Sequence, residues 1–159
     1  MDQKQIMWGI SFVDGERTMK ANRISKGTLV TGVIGDDVHV IGIRLLEHAL
    51  ERAGFKVVRL GVQVSQEEFV HAAMETKADA ILISSLGGHA KVFAAGLREK
   101  CTESGLAGIR LYIGGQLLIR GMSWEDIAKM YKEMGFDRVY PPDTKLSQAI
   151  TDLGSDLQA

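Results

Sequence analysis

The sequence predicts an α/β fold in which helices cover both faces of an open sheet of five parallel strands. Short apolar and β-branched runs alternate with longer segments whose apolar residues recur at helical spacing. The strand segments are residues 29–34, 56–60, 80–84, 110–113 and 138–140. Most of them are apolar almost throughout, which is typical of parallel strands buried on both faces. Right-handed crossovers between such strands give a doubly wound, flavodoxin-like sheet.

Helix boundaries also follow from local sequence. The first helix is marked by apolar residues at helical spacing, namely Ile41, Leu45, Leu46, Ala49, Leu50 and Ala53. The second begins at Ser65, because Glu68 stands three residues later, at the spacing of a capping box. Three helices end at a glycine followed by an apolar residue, in the pairs Gly54-Phe55, Gly105-Leu106 and Gly135-Phe136. Glycine there adopts the left-handed conformation that closes a helix, and the apolar residue packs back onto it.

The composition is that of one globular domain. The chain has 159 residues, of which 45% are hydrophobic. Its formal net charge is −1 and it shows no basic stripe, which argues against nucleic acid or an anionic membrane as a partner. It contains neither the run of about 20 apolar residues that a membrane span requires nor the apolar run of a signal peptide. Cys101 is the only cysteine, so no internal disulfide forms, and we expect a cytoplasmic protein.

Residues 1–27 stand outside the alternating pattern. We interpret them as a partly ordered extension of unknown role, which precedes a domain of residues 28–159. The extension carries Trp8, Ile10 and Phe12, apolar residues suited to contact with a partner chain, and a tail without a role is the other interpretation. We expect the extension to be dispensable for the functional site.

The loop after the first strand is the first candidate for function. In a doubly wound sheet, ligands bind beyond the carboxyl ends of the strands, where the strand order reverses. Here the loop carries Asp36 and Asp37, whose carboxylates repel the phosphates that a glycine-rich loop binds. In an extended loop, Asp37 and His39 point to the same side. Asp37 is thus placed to accept a hydrogen bond from one ring nitrogen of His39, which leaves the other nitrogen free for a metal. We interpret Asp36 as a solvated acid.

Small residues follow the neighbouring strands. The third strand ends in Ser84 and Ser85, and the fourth runs into Gly114 and Gly115. Gly42 removes a further side chain beside the first loop, so together these residues open a cleft into the edge of the sheet. Because Ser84 offers one hydroxyl there, the cleft suits a flat aromatic group that carries one polar atom.

Three motifs give the sequence a family resemblance: Asp37-x-His39-x-x-Gly42, Ser84-x-Leu86 and Gly114-Gly115. They resemble the signature of cobalamin-binding domains in base-off, His-on corrinoid enzymes. The resemblance implies that His39 replaces the cofactor's own dimethylbenzimidazole as the axial ligand of cobalt, and that the displaced nucleotide tail lies near Ser84 and the paired glycines. The cofactor-binding residues that it implies are Asp36, Asp37, Val38, His39, Val40, Gly42, Ser84, Ser85, Leu86, Gly114, Gly115, Gln116, Leu117 and Leu118.

Longer stretches extend the resemblance. Residues 78–86, 96–101 and 135–142 resemble the small subunit of glutamate mutase, and the similarity covers about residues 28–153. Residues 1–27 are additional to that family. Two departures are Gly87, where the family often has Tyr, and Gln116, where Asn is usual. They bear on the upper face of the site and not on the cobalt ligand.

The resemblance implies adenosylcobalamin as the cofactor and an isomerase that interconverts L-glutamate and (2S,3S)-3-methylaspartate by a radical mechanism. In that family a large, barrel-shaped catalytic subunit binds glutamate and covers the upper face of the cofactor, in an assembly with two of each subunit. The implied enzyme is therefore inactive without its partner. The substrate is assigned by the resemblance alone.

Two other functions of this fold require residues that this chain lacks. A receiver domain needs an aspartate after the third strand and a lysine after the fifth, where this chain has Ser84-Ser85 and Pro141-Pro142. A flavin carrier needs a hydroxyl-rich phosphate loop after the first strand. Two alternatives stay open. One is a corrinoid methyl carrier of a methyltransferase system, although its helical cap of roughly a hundred residues exceeds the 27 that precede the pattern here. The other is the cobalamin subunit of a mutase that acts on another acid.

The remaining histidines are interpreted as surface residues or as a rim of the site. His48 and His71 lie within helical patterns, whereas His89 is close in sequence to Ser84. None of them has a zinc-ligand spacing to Cys101, which we expect to be packed in a helix.

Overall fold

A computed structural model describes residues 25–35, 41–85 and 89–158. The strands in these ranges are β1 (Thr28–Val33), β2 (Lys56–Arg59), β3 (Ala80–Ser85), β4 (Arg110–Gly115) and β5 (Arg138–Val139). The helices are α1 (Ile41–Arg52), α2 (Gln66–Thr76), α3 (Ala90–Ala94), α4 (Leu97–Glu103), α5 (Trp124–Glu133) and α6 (Leu146–Gln158). All strand pairs are parallel, in the order β2-β1-β3-β4-β5. This confirms the predicted doubly wound, flavodoxin-like sheet, and each predicted strand lies within two residues of an observed one.

The helix boundaries agree with the local signals. Ser65 caps α2, since its hydroxyl accepts from the Glu68 amide and the Glu68 carboxylate accepts from the Ser65 amide. At the three predicted helix ends the glycines have φ values of 106°, 81° and 102°. The amide that follows each glycine donates back to the helix, at 3.1 Å for Phe55, 2.7 Å for Leu106 and 3.2 Å for Phe136. These bonds satisfy carbonyls that would otherwise lack a partner at the helix end.

The core has two layers, one on each face of the sheet. Successive strand residues point to opposite faces, so Leu29 belongs to one layer and Val30 to the other. The layer of Val30 is covered by α2, α4 and α5, and it includes Cys101, which is fully buried as predicted. The layer of Leu29 is smaller and is covered by α1 and α6, through Leu50 and Leu153. The candidate site lies on this second face.

Helix α1 is turned differently from what its apolar pattern indicates. Ile41 and Leu45 are 78% and 59% exposed, whereas Glu47 is buried. The Thr31 hydroxyl, in β1, donates to Glu47 at 2.6 Å, and the Arg59 guanidinium lies 3.3 Å from the same carboxylate. A buried carboxylate requires such partners, and they lie on β1 and β2. The contact with Thr31 therefore directs Glu47 inward and leaves Ile41 and Leu45 at the surface.

Backbone hydrogen bonds to the domain extend two residues before the predicted domain boundary. The Lys56 amide donates to the Gly27 carbonyl at 2.9 Å, and the Lys26 amide donates to the Gly54 carbonyl at 3.1 Å. The rest of the predicted extension, with Trp8, Ile10 and Phe12, lies outside the described residues, so its separation from the domain stays a prediction. Within the described ranges, no helix combines the length and the apolar character needed to cross a membrane.

Candidate functional site

A cavity of about 240 Å³ opens at the carboxyl edge of the sheet, between the sheet and helices α1 and α6. Its floor is formed by the last residues of β3 and β4. Its walls are formed by residues of α1 and α6 and by the segment that follows β5. The strand order reverses between β1 and β3, so the cavity lies beside the switch point, where the topology predicts a ligand.

The structure brings five of the predicted site residues together at this cavity, which are Gly42, Ser84, Gly114, Gly115 and Gln116. Three others do not line it. Ser85 is buried within β3, Leu117 belongs to the core on the opposite face, and Leu118 is exposed. The predicted residues Asp36, Asp37, Val38, His39, Val40 and Leu86 lie outside the described residues. His39 stands three positions before Gly42, a residue of the cavity wall.

The glycines shape the cavity for different reasons. Gly115 has a φ of 107°, and a Cβ at this position would lie 2.2 Å from the carbonyl oxygen of Ser85. The absence of a side chain is therefore a condition for pairing β3 with β4 at this point. A Cβ on Gly42, in contrast, would meet no atom of the described residues within 4 Å. Gly42 therefore leaves space that a ligand can occupy.

Two tyrosines form an aromatic wall that the sequence analysis did not assign to the site. Tyr112 and Tyr140 both line the cavity, and their rings stack with centroids 6.4 Å apart and planes at 28°. Their hydroxyls donate to carboxylates of α6, from Tyr112 to Asp156 at 2.7 Å and from Tyr140 to Asp152 at 2.9 Å. Burial raises the pKa of both hydroxyls, so they remain neutral donors. Tyr140 lies in a stretch that carried the family resemblance, but no spacing rule indicated its place in the wall.

Polar groups are few at the cavity. Ser84 contributes its hydroxyl, and Gln116 and Lys145 are exposed residues of the lining. The Thr144 hydroxyl donates to the Pro141 carbonyl at 2.7 Å. Histidines 48, 71 and 89 are exposed and do not line the cavity. Throughout residues 25–35, 41–85 and 89–158, no three His, Cys, Asp or Glu side chains cluster in a way that suits a metal ion.

Exposed apolar side chains lie at the same edge of the sheet. Ile41 begins α1, Leu146 begins α6, and Leu118 follows β4 by three residues. They are 78%, 39% and 58% exposed. Exposed apolar groups gathered beside a cavity are typical of a surface that a ligand or a partner covers.

The ion pair beneath the aromatic wall leads to a prediction about acid stability. Hydrogen bonds from Arg138 lower the pKa of Asp156 to about 2. The stabilisation is therefore complete above the ordinary carboxylate value near 4 and is lost as the pH falls towards 2. We expect wild type to exceed Asp156→Asn by about 2 kcal/mol in unfolding free energy at about pH 6, and the gap to close near pH 2. Urea unfolding at several pH values measures this gap, and an unchanged gap at low pH contradicts the assignment.

Comparison with known proteins identifies the class to which this fold and cavity belong. Residues 27–140 match the model of the family described as B12 binding domain. The chain is 50% identical to the glutamate mutase sigma subunit of Clostridium tetani over 134 residues, which cover 84% of this chain and 98% of the relative. It is 54% identical to the sigma subunit of Carboxydothermus hydrogenoformans over 129 residues, which cover 81% and 94%. The chain therefore belongs to the B12-binding domain family and, within it, to the glutamate mutase sigma subunits. This confirms the predicted resemblance.

Solved structures confirm the fold at lower sequence identity. The monomethylamine corrinoid protein of Methanosarcina barkeri matches with a TM-score of 0.69 at 23% identity, over 98% of this chain and 72% of that chain. A signal receiver domain from Mycobacterium tuberculosis matches with a TM-score of 0.61 at 14% identity, over 86% and 99%. Both match the same fold, so the fold alone does not distinguish a corrinoid protein from a receiver domain.

Proposed function

We propose that this chain binds cobalamin as the small subunit of glutamate mutase, with the nucleotide tail in the cavity and His39 on the cobalt. The observation that carries the proposal is the cavity at the switch point, where Gly42, Ser84, Gly114 and Gly115 meet. Its volume of about 240 Å³ exceeds the roughly 150 Å³ of an apolar cavity that admits benzene. A bicyclic aromatic base therefore fits the space that is present.

The lining suits the base of the nucleotide tail. Tyr112 and Tyr140 bring two aromatic rings to the lining, and aromatic groups pack favourably against one another in offset-stacked or edge-to-face arrangements. Ser84 supplies the one hydroxyl that the base requires at a ring nitrogen. Gly42 and Gly114 keep Cβ atoms out of the volume. These residues bind and orient the tail, and the tail in turn keeps water out of the cavity.

The axial ligand is assigned to the segment that the structure does not describe. Among the described residues, no histidine lines the cavity. His39 lies three positions before Gly42 in the sequence, and Gly42 lines the cavity. Asp37 would accept a hydrogen bond from one nitrogen of the His39 ring, which would fix the tautomer and leave the other nitrogen to hold the cobalt.

The chemistry is divided between this chain and its partner. When bound, adenosylcobalamin supplies the radical chemistry of the interconversion of L-glutamate and (2S,3S)-3-methylaspartate. This chain would hold the face of the cofactor that the large subunit does not cover, and the exposed Ile41 and Leu118 would offer apolar surface to the corrin ring. A large barrel-shaped subunit binds the amino acid, in an assembly with two of each subunit in the cytoplasm. The small subunit is inactive by itself.

A corrinoid methyl carrier is the second candidate. Its support is the likeness to the Methanosarcina barkeri corrinoid protein, which at 23% identity concerns the fold. The sigma subunits are 50% and 54% identical over most of their length, which favours the mutase. An assay with a large mutase subunit decides between them, because glutamate turnover supports the mutase and methyl transfer without it supports the carrier.

A substitution at Gly42 tests the place of the tail. Gly42→Ala is expected to leave the unfolding free energy unchanged or to raise it by at most about 1 kcal/mol. Ala is the better helix former, and its Cβ meets no atom within 4 Å in the part of the chain that the structure describes. Its methyl group enters the cavity, so we expect cobalamin binding to weaken by about 1–3 kcal/mol, the cost of overpacking. Absorbance titration of the full chain with cobalamin measures the affinity.

The matched control is Gly154→Ala in α6, where a Cβ also meets nothing within 4 Å and the residue does not line the cavity. It is expected to bind cobalamin as wild type does. If both variants bind cobalamin as tightly as wild type does, the nucleotide tail does not lie in this cavity.

A further inference from the structure

A layer of partly buried ion pairs lies next to the aromatic wall of the cavity. Asp156 accepts hydrogen bonds from the Tyr112 hydroxyl at 2.7 Å and from two nitrogens of Arg138 at 2.6 and 2.9 Å. Asp152, one turn earlier on α6, accepts from the Tyr140 hydroxyl at 2.9 Å and lies 3.5 Å from Arg138. One guanidinium on β5 therefore holds both carboxylates, and each carboxylate holds one tyrosine.

None of the three charged residues lines the cavity, although both tyrosines do. The hydroxyls are therefore bonded to residues outside the lining, and both rings contribute to the lining itself. Leu146, Ala149 and Leu153 also line the cavity, and they lie on the same helix as the two aspartates. Each Tyr–Asp bond therefore ties a ring of the cavity lining to the helix that supplies another part of the lining.

We propose that Asp156 and Asp152 are positioning residues of the cavity, which hold the rings of Tyr112 and Tyr140 where they shape it for a flat heteroaromatic base. The inference rests on the proposed function, since the cavity is taken to receive the nucleotide tail of cobalamin. If Asp156 is removed, the buried Tyr112 hydroxyl loses its acceptor, and a buried hydroxyl without a partner is unfavourable. The ring then moves, and the adjoining space is the cavity.

A double-mutant cycle on ligand affinity tests this inference. The full chain is titrated calorimetrically with the free 5,6-dimethylbenzimidazole ribonucleoside, and the variants are Asp156→Ala, Tyr112→Phe and the combination of the two. Asp156→Ala is expected to weaken nucleoside binding about tenfold, the effect of one hydrogen bond to a charged group. In the Tyr112→Phe background the same replacement is expected to change affinity less than about twofold, because its route of action is gone. Asp156→Asn, which retains an acceptor oxygen, is expected to keep more affinity than Asp156→Ala.

Asp137→Asn is the control for a role in stability alone. Asp137 accepts from Arg98 at 3.0 Å and from the Leu111 amide at 2.8 Å, and it does not line the cavity. This variant is expected to lower the unfolding free energy without changing nucleoside affinity. Unchanged affinity in Asp156→Ala, an equal loss in Asp137→Asn, or additive effects in the cycle overturn the inference while the proposed function stands. Failure of wild type to bind both the nucleoside and cobalamin overturns the proposed function, and the inference with it.

Discussion

Cob(II)alamin bound by the full chain with a large mutase subunit is expected to show electron–nuclear coupling to one histidine nitrogen, and His39→Ala is expected to abolish it. The expectation follows from the proposal that Asp37, two residues before His39, accepts a hydrogen bond from the imidazole and leaves its other nitrogen free for the cobalt. Electron paramagnetic resonance measures the coupling. Labelling the protein with nitrogen-15 is expected to change the splitting from three lines to two, because the nuclear spin changes from 1 to ½.

The two neighbouring acids supply a matched pair of variants. Asp37→Asn is expected to keep the fold and to weaken cofactor binding or turnover roughly 10- to 100-fold, as the loss of a hydrogen-bonding partner of a metal ligand does. Asp36→Asn, one residue earlier, is expected to have a much smaller effect. Equal effects of the two variants would show that Asp37 is not the partner of His39. Coupling to the cofactor's own base would overturn the assignment of the cobalt ligand.

Gly115→Ala is expected to lower the unfolding free energy by more than about 3 kcal/mol, because backbone strain and overpacking add at this position. The residue has a φ of 107°, and its new Cβ would lie 2.2 Å from the Ser85 carbonyl oxygen. Backbone of β3 and β4 must separate to admit it, since no flexible side chain is available to move. Chemical unfolding of the full chain measures the loss, and cobalamin binding is expected to fall with it.

Gly121→Ala separates the two causes. Gly121 also has a positive φ, at 85°, but a Cβ there meets nothing within 4 Å. It is expected to lose only about 1 kcal/mol, the cost of placing an L-residue in the left-handed region. Similar losses in both variants would contradict the argument that contact with Ser85 makes Gly115 necessary.

Much of the fold was predictable because its signals are local. A helix that ends at Gly54-Phe55 depends on residues within one turn, and so does the cap formed by Ser65 and Glu68. The meeting of Ser84 with Gly114 was also predictable, because parallel strands joined by right-handed crossovers all end at one edge. The role of His39 as cobalt ligand stays a prediction, since it lies outside the described residues.

The tertiary structure alone decided how the cavity is completed. Tyr112 lies in a strand whose apolar pattern predicts a core residue. Only the tertiary structure shows that it lines the cavity and that its hydroxyl donates to Asp156, 44 positions later. The orientation of α1 has the same origin, because Glu47 is buried against a hydroxyl of β1 and the apolar Ile41 is 78% exposed. The spacing of apolar residues in the sequence predicts which face of a helix or strand is buried. A buried polar group instead goes where its partner is, and the partner belongs to a distant part of the chain.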